Sequence, residues 1–130
     1  MTIFSKIIRG EIPCYKIAED ENFFAFLDIS PMTKGHTLVV PKIEEDYLFN
    51  LEDELLGKMM VFAKKIAVAI RQSTSCVRVG VAVLGMEVPH AHIHLVPLNK
   101  ESDLSFRKKK LKLKPEEMEA IAQSIREKLS

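Results

Sequence analysis

The chain has 130 residues and a mass of 14.8 kDa, the size of one domain able to bury a core without a disulfide or a metal. Apolar residues make up 47% and charged residues 28%, which excludes a disordered chain; Lys plus Arg number 19 against 18 Asp plus Glu, too small an excess for a protein that holds nucleic acid by its phosphates. The two cysteines, Cys14 and Cys76, make no Cys-x-x-Cys pair, and no run has the length of a signal peptide or of the roughly 20 apolar residues that span a membrane. A single domain over residues 1–130, in a reducing cytoplasmic compartment and without membrane or nucleic-acid partners, is the expectation.

In chain order, β-branched and aromatic runs at residues 14–19 and 23–29 flank the acidic turn Asp20-Glu21-Asn22 and predict a hairpin. Ser30-Pro31 and Lys34-Gly35 mark a loop, and residues 36–41 predict a third strand that Pro41 stops. A long helix follows over residues 51–71, with Asn50 as its N-cap and Glu52, Asp53 and Glu54 at the positive end of its dipole. Its apolar arc is wider than one sheet-facing stripe requires. Either it is a core helix with a broad stripe, or it is buried on two sides, the second against another subunit through Met60 and Phe62. Strands are predicted at 77–84 and 91–98, and Pro115 opens a C-terminal helix with Glu116 and Glu117 in its first turn. The pattern predicts an α+β fold: an antiparallel meander sheet of about five strands with one long and one C-terminal helix. The basic run at 107–114 reads as a solvated linker or as a contact for a phosphate-bearing ligand.

Of the protein's 4 histidines, His90, His92 and His94 recur at every second position within His90-Ala91-His92-Ile93-His94-Leu95-Val96. On a strand that spacing places the imidazoles on one face, roughly 6.6 Å apart, with Ala91, Ile93 and Leu95 on the other. Two chemistries fit. The rings could hold a metal ion with a third ligand such as His36 or Glu87. Alternatively, they form a metal-free phosphate site in which one ring attacks phosphorus and its neighbours stabilise the oxygens.

The surrounding blocks add to this. His-φ-His-φ-His-φ-φ, with φ apolar, occurs together with Thr2-Ile-Phe-Ser-Lys-Ile-Ile-Arg-Gly-Glu-Ile-Pro13, Phe26-Leu-Asp-Ile-Ser-Pro31 and Gly35-His-Thr-Leu-Val-Val-Pro-Lys42. In that order they resemble the histidine-triad nucleotide-binding family, most of all its Hint-type branch. The resemblance implies a homodimeric hydrolase or transferase that acts at the α-phosphate of purine nucleoside 5′-monophosphate derivatives, phosphoramidates among them. It needs neither metal nor cofactor. On the family pattern His92 is the nucleophile and forms a nucleotidyl-histidine, the His90 carbonyl holds the proton of the attacking ring, and His94 and His36 flank the phosphate. Ile3, Phe4, Ile7, Phe26, Leu27 and Ile29 match positions around the purine, and Asp28 matches the acceptor for the ribose hydroxyls.

The chain also departs from the pattern. Thr2 and Ser5 stand where the family's zinc-binding members carry Cys-x-x-Cys, so a structural zinc is not expected. Met86 and Val79 stand where many members carry a glutamine and an asparagine that help hold phosphate or leaving group, and Glu87 follows Met86 in that departing segment. Gly85 still permits close backbone approach to a ligand. Glu87 is placed on the leaving-group side, where it would disfavour further phosphates. The alternatives are a dinucleoside polyphosphate hydrolase and a nucleotide-binding or sensing protein with little turnover.

Overall fold

The computed structural model describes residues 1–129. Strand β1 (Lys16–Glu19) and strand β2 (Phe23–Leu27) form the predicted hairpin. Its turn closes because the Asp20 carboxylate accepts the backbone N–H groups of Asn22 and Phe23, each at 2.8 Å. Strand β3 (Thr37–Pro41) pairs antiparallel with β2 along its whole length, from Phe23 opposite Pro41 to Leu27 opposite Thr37. Helix α2 (Asp53–Ser73) carries the chain to strand β4 (Arg78–Ala82) at the far edge. Strand β5 (Ile93–Leu98) then returns between β3 and β4, giving the antiparallel order β1-β2-β3-β5-β4. Helix α3 (Pro115–Arg126) opens on proline as predicted and packs on α2 and β1. This is the expected α+β architecture. Among the described residues no helix is long and apolar enough to cross a membrane.

Three local expectations are corrected. The segment from residue 2, given no element by its pattern, forms a short helix, α1 (Ile3–Ile8), whose N-cap Thr2 accepts the Ser5 N–H at 3.0 Å. Asn50 does not cap α2. It ends a 3-10 turn (Leu48–Asn50), and burial of Leu51 delays the long helix until Asp53, with Glu52 at the N-cap making no side-chain bond. Phe62 faces the core rather than outward. It shares a helical face with Met59 and Ile66, is 8% exposed, and its ring lies 5.6 Å from that of Phe23 in the core. The outer arc of α2 is Met60, Val61 and Val68, all exposed.

Strand alternation sorts the side chains onto two faces. Phe23, Ala25, Leu27, Val39, Ile93 and Leu95 enter the main core beneath α2 and α3. Phe24, Phe26, Leu38 and Val40 form a smaller cluster on the opposite face, closed by Phe4 of α1. Leu27, expected beside a purine, is thereby turned into the helix-side core, because its neighbour Phe26 occupies the other face.

Candidate active site

The site lies on the smaller face, where β3 and β5 run side by side. Their register sets Leu38 opposite His94 and Val39 opposite Ile93, so His94 emerges beside Phe26 and Leu38 while Ile93 and Leu95 go to the core. Only His94 belongs to β5. His90 and His92 precede it in a segment pinned by the Ala91 N–H to the Glu45 carbonyl at 2.6 Å and the His90 N–H to the Val88 carbonyl at 2.8 Å. The Phe4 ring meets His92 edge-on at 5.0 Å and His90 at 5.8 Å, and His92 meets His94 at 4.9 Å. His36 arrives from the loop before β3. Gly35 turns the chain with φ +103°, a region that favours glycine, and a Cβ there would come within 3.2 Å of Pro97 Cγ.

Backbone partners decide where each ring proton sits. A carbonyl can only accept, so His92 Nδ1, 2.7 Å from the His90 carbonyl, carries a proton and leaves Nε2 with its lone pair. His36 Nδ1 accepts the Met32 N–H at 3.0 Å, so its proton is on Nε2 and is donated to His94 Nδ1 at 3.0 Å. A neutral His94 therefore keeps its proton on Nε2. His90 donates through Nε2 to the Pro41 carbonyl at 2.8 Å. The outcome is one free lone pair, at His92, beside one free N–H donor, at His94. Neither Nε2 has a protein partner. Among the described residues no buried side-chain nitrogen or oxygen lacks one, so both atoms reach the open cleft. His36, 1% exposed with both nitrogens engaged, acts on this cleft through His94.

All three rings are held neutral. Burial pushes His36 down to about 3 and His94 to about 4, reinforced at each by a neighbouring imidazole and by the charge of Lys110. Burial also lowers His92, against the opposing pull of its bond to the His90 carbonyl. Asp28 lies 3.6 Å from His36 Nε2, yet a neutral ring makes no ion pair. Its Oδ1 accepts the Ser30 N–H at 2.8 Å, and burial raises its carboxyl above the usual range. Asp28, His36 and His94 could converge on a cation, with one ligand atom each within 4.8 Å of the others. That geometry spends two of those ligand atoms on the hydrogen bond between the imidazoles.

The remaining expected residues divide. Phe4 and Phe26 are buried in the aromatic cluster, Ile7 packs at its edge, and Ile3 and Ile29 are exposed beside it. Glu87 is exposed, and its charge acts on both Asp28 and His92. Gly85, at φ +74°, lines an open groove of about 900 Å³ that also includes His92, Met86, Phe49 and Met60. Phe106 escaped the sequence reading, whereas Lys110 belongs to the basic run whose second reading was a phosphate contact. Phe106 sets its ring edge 5.0 Å from His94, and Lys110 brings a positive charge to His36, His94 and Asp28. The basic run crosses the site because the Leu111 N–H is tied to the Pro31 carbonyl at 2.9 Å.

The HIT domain family pattern matches residues 9–101. The chain belongs to that family. An adenosine 5′-monophosphoramidase of Schizosaccharomyces pombe is 35% identical over 129 residues, 98% of this chain and 97% of the relative. A HIT-like protein of Bartonella henselae superposes with a TM-score of 0.84 at 31% identity, covering 98% of this chain and 96% of that one. A zinc-bound histidine triad family protein of Mycobacterium smegmatis superposes at 0.81 with 34% identity, covering 98% and 91%. The HIT pattern ends near residue 101, so Phe106 and Lys110 fall outside it.

The depressed imidazoles make stability acid-sensitive. Between the ordinary 6.5 and the folded values of about 3 and 4, the unfolded chain takes up protons that folded His36 and His94 refuse. Stability is therefore full above 6.5 and falls as pH drops, each ring contributing a slope of up to about 1.4 kcal/mol per pH unit. Asp28, raised, opposes this only where its own carboxyl titrates. Urea midpoints measured from pH 7 down to pH 4 are expected to decline steadily. A flat profile would mean that the rings are not buried neutral.

Proposed function

We propose that this HIT protein is a nucleotidyl hydrolase acting at the α-phosphate of purine nucleoside 5′-monophosphate derivatives, phosphoramidates in particular. The observation that carries the reading is the single unprotonated Nε2 of His92, held by the bond from Nδ1 to the His90 carbonyl at 2.7 Å. The phosphoramidase name of the fission-yeast relative supports the substrate class. In the reaction the Nε2 lone pair attacks phosphorus, the bond from phosphorus to the leaving nitrogen breaks, and the departing amine takes a proton from water. Water then attacks the nucleotidyl-imidazole, releasing the 5′-monophosphate and restoring the neutral ring. His94 Nε2–H donates to a phosphate oxygen, while His36 holds His94 in the donating tautomer.

Asp28 accepts from the ribose hydroxyls, and Ile3, Phe4, Ile7, Phe26 and Ile29 surround the base. Gly85 lets the backbone approach the ligand. Glu87 faces the leaving group and repels additional phosphates, which favours a small leaving group over a dinucleoside polyphosphate. The groove beside His92, with Phe49, Met60 and Met86 exposed, is an apolar surface that a second copy of the chain would cover.

His92→Asn removes the attacking nitrogen while keeping an amide N–H that can donate to the His90 carbonyl. Turnover of adenosine 5′-phosphoramidate should fall by more than about a thousandfold, with adenosine monophosphate binding close to wild type. Rapid quench of the wild type into alkaline denaturant, where the P–N bond survives, should capture the nucleotidyl adduct on His92; an adduct elsewhere, or an active variant, rejects the assignment. Light scattering at micromolar concentration should give a dimer. A monomer would contradict the second-copy reading of the groove.

A further inference from the structure

The N-cap of α1 is joined to the loop after β3 and to the first motif histidine. The Thr2 N–H donates to Glu44 Oε1 at 2.8 Å, and the Ser5 hydroxyl donates to the same oxygen at 2.6 Å. Thr2 Oγ1 lies 2.7 Å from His90 Nδ1 and 3.2 Å from Ser5 Oγ. With the Thr2 proton on His90 and the Ser5 proton on Glu44, the Thr2–Ser5 oxygen contact carries no proton, and the remaining bonds have one consistent direction. His90 Nε2 must donate to the Pro41 carbonyl, so Nδ1 is left as an acceptor and the Thr2 hydroxyl gives it its proton. The Thr2 oxygen in turn accepts the Ser5 N–H at 3.0 Å. His90 is fully buried, and both its ring nitrogens are satisfied.

Zinc does not fit this cluster. The corresponding Cys-x-x-Cys of zinc-binding relatives is here Thr2 and Ser5, and neutral hydroxyls do not replace thiolates as zinc ligands. The His90 lone pair that could bind a metal is already taken by Thr2. Glu44 is lowered from the usual carboxylate range, first by the Ser5 hydroxyl and then by the Thr2 amide, so it is a charged acceptor rather than a donor.

We propose that Thr2, Ser5 and Glu44 form a metal-independent latch that fixes the tautomer and position of His90 and, through the His90 carbonyl, aims His92. They are positioning residues. The latch and the nucleophile meet in one residue: the ring of His90 is gripped by Thr2, and its carbonyl grips His92 Nδ1–H at 2.7 Å. If Thr2 cannot donate, His90 Nδ1 is buried without a partner and the ring must turn, moving the carbonyl that orients the attacking nitrogen. The kinetic consequence rests on the hydrolase reading; the tautomeric one does not.

The test compares Thr2→Val with Thr2→Ser and Glu44→Ala with Glu44→Gln in the full chain, all checked for wild-type thermal midpoints. Serine keeps the donor and glutamine keeps an oxygen acceptor for Thr2 N–H and Ser5 O–H. In Thr2→Val the side-chain 15N resonance of His90 Nδ1 should move toward that of an unbonded lone pair, and the His92 Nδ1–H proton resonance should shift. Thr2→Ser should leave both in place. With adenosine 5′-phosphoramidate, Thr2→Val and Glu44→Ala should each lower kcat roughly tenfold with KM unchanged, as expected for a misaimed nucleophile. Thr2→Ser and Glu44→Gln should restore it, and zinc or a chelator should leave the wild-type rate unchanged. Unmoved His90 and His92 resonances in Thr2→Val would overturn the latch whatever the activity. Moved resonances with unaltered kcat would overturn its role in aiming. A wild type without turnover would sink the hydrolase reading alone, leaving the resonances to decide the latch.

Discussion

The bond from His92 Nδ1–H to the carbonyl two residues earlier is the constraint on which the rest of the site depends. An imidazole in water exchanges its proton between two nitrogens and turns freely about its side-chain bonds. Here the 2.7 Å contact with His90 settles both questions at once. The bond is useful only if the His90 carbonyl is itself immobile. That is why the neighbouring backbone is tied to Glu45 and Val88, and why the His90 ring is gripped at both nitrogens.

A second chain of the same kind runs from the Met32 amide through His36 to His94 and ends in a donor. The two chains leave complementary atoms side by side, a lone pair and an N–H, with no charged imidazole between them. Burial does the electrostatic work. It keeps His36 and His94 neutral far below their ordinary range, so the lone pair of His92 is not lost to an intervening proton near neutrality. The fold supplies that burial cheaply, because Phe4, Phe26 and Leu38 cover the imidazole face while α2 and α3 cover the other.

Much of this was legible in the sequence. The alternation of His90, His92 and His94 with apolar residues marked a shared face, the Asp20 turn marked the first hairpin, and Pro115 marked the last helix. The HIT blocks placed His36 and Asp28 beside the triad. What alternation could not give was the end of the strand: only His94 lies in β5, because His90 bends away to reach Pro41. Leu27 and Phe62 were misplaced for a related reason. One residue of register on a strand, or one step around a helix, decides which face a side chain joins, and both faces here are apolar. Glu44 and Phe106 had no signal at all, since each reaches the site by tertiary contact from a segment without periodicity, and Lys110 was marked only as one of a run of charges.

The central claim is a pattern of protons, and it can be read without any substrate. Long-range 1H–15N correlation spectra of the histidine side chains near pH 7 should show His36, His92 and His94 neutral, with His92 protonated at Nδ1 and His36, His90 and His94 protonated at Nε2. A His92 ring protonated at Nε2, or exchanging between the two forms, would leave no lone pair held for attack and would contradict the account.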